Sequence, residues 1–360
     1  MKKIILILLI ILFLIPHSVS ASTSTASSYT LIDYETGRII SSKNPNKESL
    51  VASISKIMTA LIAIQSGKLD QEVTVDDTIL KAYGSCIYIE VGEKLTLRDL
   101  VYGLMLRSGN DAALMISKFV SGSEEEFVKK MNEKAQELGM KNSTFNNPSG
   151  LDETDGNYSS SYDMALLMRE ALRYEEFRKI TATKKYKLKT NYKTYIWNNK
   201  NKLLANDFII GGKTGYTKKA GRTLVSAANI DNSTFIVVTI RDSDDWNTHL
   251  SLYDSIKGKY QKYTLLDKHN FNVENTFYKD KVYINKTLSI PLTEEESKNI
   301  KLDIKLEEIK KPPNKSQIGT ANIILNNETI HTEPIYYKKT SSKKTTKPSF
   351  WQKIWSKLND

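Results

Sequence analysis

From Ile57 to Ile64 every position except Thr59 is apolar, and Gly67 follows as a stop, so this stretch predicts a buried helix opening near Ser53. A capping pattern at Thr96-Leu97-Arg98-Asp99 leads into Leu97, Leu100, Val101, Leu104 and Met105, which share one helical face. Ser108-Gly109-Asn110 interrupts that run, and Asp111 to Val120 resumes it. Ser123 then caps a helix whose Phe127, Val128, Met131, Ala135 and Leu138 point inward, and another helix covers Tyr162 to Leu172 after the turn-rich segment from Asn146 to Ser161. Strand patterns flank this helical middle. Tyr29 to Asp33, a turn at Glu35-Thr36-Gly37 and Arg38 to Ile40 read as a hairpin, and strand character returns at Phe208 to Ile210, Thr223 to Ala228 and Thr234 to Ile240, with a turn at Asp231-Asn232. Trp246 to Tyr260 reads as a closing helix. The pattern predicts an α/β (α+β) domain in which one antiparallel sheet is assembled from both ends of the segment, with a helical lobe against it.

Beyond Tyr263 the pattern shifts to short alternating runs at Lys281 to Ile284, Lys301 to Ile304 and Ala321 to Leu325, with Lys311-Pro312-Pro313 as a turn. A small all-β, sandwich-like domain is predicted over residues 263–337, following a main domain over 22–262. Residues 1–21 belong to neither. Lys2 and Lys3 precede an apolar run from Ile4 to Ile15, and Val19-Ser20-Ala21 supplies small residues for cleavage, the signature of a signal peptide and an exported protein. Twelve apolar residues are short for a bilayer span.

Composition refines this outline. The net charge of +11 is concentrated in part in the last 23 residues, where Lys338 to Asp360 holds seven Lys and one Asp. Phe350, Trp351, Ile354, Trp355 and Leu358 fall on one helical side there, with Lys353, Ser356 and Lys357 on the other, so residues 338–360 read as a basic linker and an amphipathic helix for an anionic membrane surface. No nucleic-acid-binding motif is present. Cys86, the single cysteine, excludes an internal disulfide, and its alternating neighbourhood up to Val91 suits a partly buried side chain. His249, His269 and His331 are isolated in sequence, which argues against a zinc site and for a structural role of His249; no metal or cofactor is expected.

Three short motifs carry the candidate chemistry. Ser53 and Lys56 lie three apart at a helix start, so a hydroxyl and an amine share one face, and a lysine held in apolar surroundings sheds its proton more easily and can deprotonate the hydroxyl. Ser108-Gly109-Asn110 sets a hydroxyl and an amide on a bent connection. Gly211-Gly212-Lys213-Thr214-Gly215 forms a strand with little bulk, able to take an extended peptide by strand addition while Lys213 and Thr214 hold its terminal carboxylate. Taken singly such patterns recur by accident, as at Ser341/Lys344 and Ser297/Asn299; their order along the chain does not.

S-x-x-K, S-x-N and K-T-G in that order are the motif set of β-lactamases and penicillin-binding proteins. With Asn146-Asn147-Pro148-Ser149-Gly150-Leu151, the segment from Tyr158-Ser159 to Asp163, Asn199 to Leu204 and Lys213 to Thr217, the chain resembles the D-alanyl-D-alanine carboxypeptidases, the low-molecular-weight penicillin-binding proteins, from Tyr29 to Tyr260. The resemblance implies a β-lactamase/penicillin-binding transpeptidase-like fold. It implies Ser53 as nucleophile, Lys56 as base and Ser108 as proton relay. Asn110, Lys213, Thr214, Gly215 and Tyr216 would form the substrate site, with the backbone N–H groups of Ser53 and Tyr216 around the oxyanion. Peptidoglycan stem peptides are the implied substrate, β-lactams the implied inhibitors, and the outer face of the cytoplasmic membrane the implied location. An arginine that some members carry near the closing helix is missing from Asp244 to His249, leaving one carboxylate contact unassigned. A β-lactamase and a penicillin-binding sensor share these motifs; no glutamate between Asn110 and Lys213 fits the class A pattern for a deacylating base.

Overall fold

The computed structural model describes residues 24–338 apart from Thr276, Lys279 and Asp280; the leader and the amphipathic tail lie outside the described residues. The main domain is built on a five-stranded antiparallel sheet in the order Ile39–Lys43, Ser28–Asp33, Ser233–Ile240, Gly221–Ile230, Ile209–Thr217. Ser28 to Asp33 pairs with Ile240 to Phe235, so the two ends of the domain meet at the middle of the sheet. Period-two alternation decides the layering. Phe235 and Val237 face one apolar layer with Leu31, Leu224 and Tyr253, and Ile236, Val238 and Ile240 face another with Ile32, Val225 and the helical lobe.

The lobe's central helix is Lys56–Gln65, buried at every position from Lys56 to Ile64. The helical run opens near Ser53 as expected, but its first turn, Ala52–Ser55, is 3-10, with Ala52 itself at φ 50°. The Thr96/Asp99 capping box forms as the sequence predicts, but Leu97–Tyr102 is followed by a widened π-helical turn, Gly103–Arg107. Helices Asn110–Ser121, Glu124–Glu137 and Ser161–Ala171 follow, the last two started by Ser123 and Ser160 accepting from the backbone N–H three residues on.

Several expectations are corrected in detail. The closing helix is Asp245–Ile256, shorter than predicted, because the chain turns at Gly258, φ 72°. The strand expected at Phe208 to Ile210 and the glycine-rich strand expected at Gly211 to Gly215 are one continuous strand, Ile209–Thr217. Cys86 is half-buried, as its alternating neighbourhood suggests, and Ile87 and Ile89 are buried with Tyr88 exposed; the backbone there is bound by a carboxylate, not by a neighbouring strand. Lys185–Lys189 and Thr194–Asn198 pair as an additional hairpin that the expected strands do not include.

The C-terminal domain packs a two-stranded sheet (Gln261–Leu266, Leu288–Leu292) and a four-stranded sheet (Val282–Tyr283, Glu328–Tyr337, Gln317–Leu325, Ile300–Leu306) around one apolar core. Among its described residues it is all-β apart from one short helix, Glu294–Asn299, set by a Thr293/Glu296 capping box. Glu296 also takes both guanidinium nitrogens of Arg38, at 2.7 and 2.9 Å, joining this domain to the turn between the first two strands.

Candidate active site

The 3-10 turn and the helix behind it bring Ser53 and Lys56 together. Lys56 Nζ lies 3.1 Å from Ser53 Oγ, donates to Asn110 Oδ1 at 2.7 Å, and also donates to the carbonyl of Ser149. Thr59, one turn on, donates to the carbonyl of Pro148 at 2.7 Å, so one face of the nucleophile helix holds the Pro148-Ser149-Gly150 segment. That segment is shaped from within by Asn147, whose Oδ1 accepts from Ser149 N, Ser149 Oγ and Gly150 N. Gly150 is required: φ is 79°, and a methyl group there would overlap the Ala52 carbonyl and lie 2.5 Å from Ser55 Oγ.

The second motif comes from the π-helical turn, which leaves Ser108 in the left-handed region at φ 65° and so turns its side chain toward the cleft. Ser108 Oγ lies 3.2 Å from Lys213 Nζ, and Lys213 also donates to the Thr214 carbonyl at 2.7 Å. The third motif lies on the edge strand. A methyl group on Gly215 would come 3.0 Å from the backbone nitrogens of both Ser53 and Ile54 and overlap Thr223 Oγ1, so glycine is what lets the strand lie against the nucleophile turn. Thr223 Oγ1 in turn donates to Val51 O at 3.0 Å. Tyr216, next along, is exposed. All three predicted motifs converge on one cleft between sheet and lobe.

The electrostatics of the cleft are unusual. Lys56 and Lys213 are both fully enclosed, and among the described residues no carboxylate is hydrogen-bonded to either amine. Burial, helped by the nearby positive charge of Lys200, pulls Lys56 down to about 7. Burial together with Lys56 and Lys200 holds Lys213 well below the ordinary lysine range. Near neutral pH a large share of Lys56 is therefore an uncharged amine beside a hydroxyl, the arrangement general base catalysis requires.

Sequence reasoning gave no role to several residues that build this arrangement. Asp111, beside Asn110, is buried, and its carboxylate accepts from the backbone N–H of Ile87 (3.0 Å), Tyr88 (2.7 Å) and Ala112 (2.9 Å). It fixes the loop whose Ser85 carbonyl accepts from Asn110 N at 2.7 Å and whose Tyr83 carbonyl accepts from Asn110 Nδ2 at 2.6 Å. An Asp directly after S-x-N was the available signal. Lys200 donates to Ser85 Oγ at 3.2 Å across the same loop. Near the closing helix, Arg222 pairs with Asp245 and stacks on Trp246, while Arg241 donates to Lys219 O.

His249 stands apart from the cleft. Its Nδ1 is 2.6 Å from Ser226 Oγ and its Nε2 3.1 Å from Thr239 Oγ1, on the opposite side of the sheet. Among the described residues no group of His, Cys, Asp and Glu is arranged to hold a metal.

A helical lobe on an antiparallel sheet, with Ser, Lys and a second Ser–Lys pair meeting between them, defines a serine hydrolase of the penicillin-binding and β-lactamase-like fold. Residues 15–244 match the family model described as D-alanyl-D-alanine carboxypeptidase, and residues 260–343 match the C-terminal domain of penicillin-binding protein 5. The chain belongs to the D-alanyl-D-alanine carboxypeptidase family. It is 35% identical over 336 residues to the D-alanyl-D-alanine carboxypeptidase DacF of Bacillus subtilis, covering 88% of this chain and 86% of that one. To DacC of Escherichia coli it is 29% identical over 352 residues, covering 90% and 86%. Penicillin-binding protein 5 from Haemophilus influenzae superposes with a TM-score of 0.71 at 26% identity, covering 89% of this chain and 98% of that one. The protein is thus a serine-type carboxypeptidase of a family that acts on peptidoglycan stem peptides and binds β-lactams.

Proposed function

We propose that Ser53 is the nucleophile that removes the terminal D-alanine of a stem pentapeptide. The observation that carries the assignment is a fully buried Lys56 amine 3.1 Å from Ser53 Oγ with its proton affinity lowered to about 7. Lys56 takes the hydroxyl proton as Ser53 Oγ attacks the carbonyl between the two D-alanines. The tetrahedral oxyanion is held by the N–H groups of Ser53 and Tyr216, each donor contributing roughly 3–4 kcal/mol. Ser108, next to Lys213, passes a proton to the departing amine, the C–N bond breaks, and D-alanine leaves behind an ester on Ser53 that water then hydrolyses. Asn110 orients Lys56 and the substrate amide. Lys213 and Thr214 receive the free carboxylate, whose negative charge raises the proton affinity of Lys213 so that the amine takes a proton from solvent and pairs with it, and Gly215 lets the substrate backbone lie along the edge strand.

This assignment predicts selectivity, because an internal peptide bond brings no carboxylate to Lys213. Incubation with a stem pentapeptide, its C-terminal amide and penicillin tests it. D-Alanine released from the acid and little from the amide, with penicillin attached to Ser53 and cleared slowly, is the expected outcome. Rapid penicillin turnover without D-alanine release would make the protein a β-lactamase; stable acylation with turnover of neither would make it a sensor; labelling that survives Ser53→Ala would remove Ser53 from the mechanism.

Peptidoglycan lies outside the cytoplasm, so the enzyme is an exported one. Its seat on the outer face of the cytoplasmic membrane is the further part of the proposal, supported by segregation of Trp and Lys along residues 350–358. Truncation after Lys339 should leave full activity and abolish partition onto anionic vesicles; equal partition of both forms would refute the anchor.

A further inference from the structure

The hairpin formed by Lys185–Lys189 and Thr194–Asn198 is one-sided. Tyr186, Leu188, Tyr195 and Trp197 face inward, Tyr195 and Trp197 being buried and Tyr186 stacked on Tyr102 at 3.8 Å. The outward side carries Lys185, Lys187 and Lys189 in a row, opposite Asn198, Ile196 and Thr194. Alternate residues of a strand are about 6.7 Å apart, so the three amines form a straight line of positive charge. Among the described residues none of the three forms an ion pair or hydrogen bond through its side chain. Nor does the surrounding sequence offer an acid: between Phe177 and Asn206 there are nine Lys or Arg and no Asp or Glu, within a chain whose whole excess is +11. A surface evolved only for solubility mixes both signs, since like charges in a row repel one another. The catalytic mechanism uses none of these three lysines.

The hairpin is also tied to the cleft. Its Lys193 and Tyr195 donate to the carbonyl of Tyr88, at 2.9 and 3.0 Å, and Thr190 donates to Glu93 at 2.5 Å, which fixes the loop held by Asp111 beside Asn110. We infer that the outward face of this hairpin is a docking surface for a linear polyanion, a phosphodiester polymer of the cell wall, lying alongside the cleft. Charge complementarity supports a polymer: a line of evenly spaced cations matches a chain that repeats its anion in one direction. A lipid surface would favour an aromatic fringe on that same face; on the two strands Ile196 is the one exposed large apolar side chain among the described residues, and the exposed Tyr192 of the turn is tied back to the Val91 carbonyl at 3.2 Å.

The test uses the mature full chain, its basic tail present in every variant, and poly(glycerol phosphate) as the probe. The triple variant K185Q/K187Q/K189Q is compared with the parent and with K301Q/K310Q/K311Q, an equal charge change on exposed lysines of the C-terminal domain. Removing three phosphate contacts should weaken binding by about tenfold or more and flatten the slope of log affinity against log salt by about 2. The C-terminal variant should bind as the parent does, and pentapeptide hydrolysis should be unchanged in all three, so a failure here is separable from a failure of the catalytic assignment. Equal losses in the two triple variants would reduce the effect to overall charge and overturn the site. So would unchanged binding in the hairpin variant, or a loss confined to anionic phospholipid vesicles, which would give the face to the membrane.

Discussion

Each side of the main sheet buries a basic side chain whose proton affinity is depressed, yet only one of them faces chemistry. On the lobe side Lys56 sits at about 7; on the other His249 is pushed down to about 3, each chiefly by burial. The difference lies in what surrounds the nitrogens. Both ring nitrogens of His249 are taken by hydroxyls that lead nowhere: Ser226, itself 2.8 Å from Tyr253 Oη, and Thr239. Lys56 instead points one of its three contacts at Ser53, which is only partly buried and opens on the cleft. A buried, shifted base is thus a sign of function only when a reactive group and an approach for substrate accompany it.

The largest expected effects break this pair apart. Lys56→Ala should slow acylation by penicillin by about 10³-fold or more, since activation of the nucleophile and proton transfer are lost together. His249→Gln should leave acylation unchanged and alter stability. The unfolded imidazole binds a proton below about 6.5 and the folded one does not until about 3, so the wild type loses stability as pH falls through that window. Gln removes that dependence. Melting temperatures between pH 4 and 8 check it: a pH slope retained in the variant would dismiss His249 as its source, and a large acylation defect would give His249 a role the geometry does not.

A smaller loss follows from the support of Ser53 and Lys56. Gly150→Ala places a methyl group against the Ala52 carbonyl at a φ that disfavours alanine, so either the 148–150 segment or the nucleophile turn must shift. A displacement of about 1 Å costs up to ~10²-fold in rate. The acylation rate should fall by that order with melting temperature lowered by a few degrees; wild-type kinetics would show that the segment yields freely.

How much of this was readable in the sequence follows from how local each signal is. The three motifs, the central helix, the Thr96/Asp99 cap and the strands from both ends are encoded within a few residues of themselves, by spacing and period. The 3-10 turn at Ala52, the π-helical turn before Ser108 and the close seating of the edge strand on the nucleophile turn were not legible, because each depends on packing against distant backbone: Gly150 on Ala52, Gly215 on Ser53. Asp111 was invisible for a related reason. Its partners at 87 and 88 lie more than twenty residues away, and an apolar-polar alternation at 86–91 that looks like a strand is a loop wrapped on a carboxylate.

Asp111 therefore offers a sharper variant. Asp111→Ala leaves the N–H groups of Ile87, Tyr88 and Ala112 without their acceptor, at a cost of about 1–3 kcal/mol for each donor that water does not reach. Asn110 should lose its fixed place, since the 83–85 carbonyls that hold it belong to that loop. Acylation should drop about tenfold with Ser53 still the labelled residue, and Asp111→Asn, which keeps an acceptor, should recover part of it. A variant with lowered stability but unchanged acylation would confine Asp111 to folding.

The smallest effect is the most specific to electrostatics. Lys200 touches neither Ser53 nor Lys56, but its positive charge is the second cause, after burial, of the low proton affinity of Lys56, and it acts on Lys213 as well. Since neutral Lys56 is the active base, acylation in the wild type should rise with pH through about 7 and then level off. Lys200→Gln removes the repulsion, Lys56 holds its proton to higher pH, and the rising limb moves up while the plateau stays. At pH 6 the variant should be slower by less than about tenfold, and at pH 9 indistinguishable, because the interaction acts across a partly solvated gap. Raising the salt concentration should shrink the difference at pH 6. If the plateau falls while the limb stays in place, Lys200 acts on substrate or on the Ser85 loop, and burial alone sets the base on this side of the sheet as it does on the other.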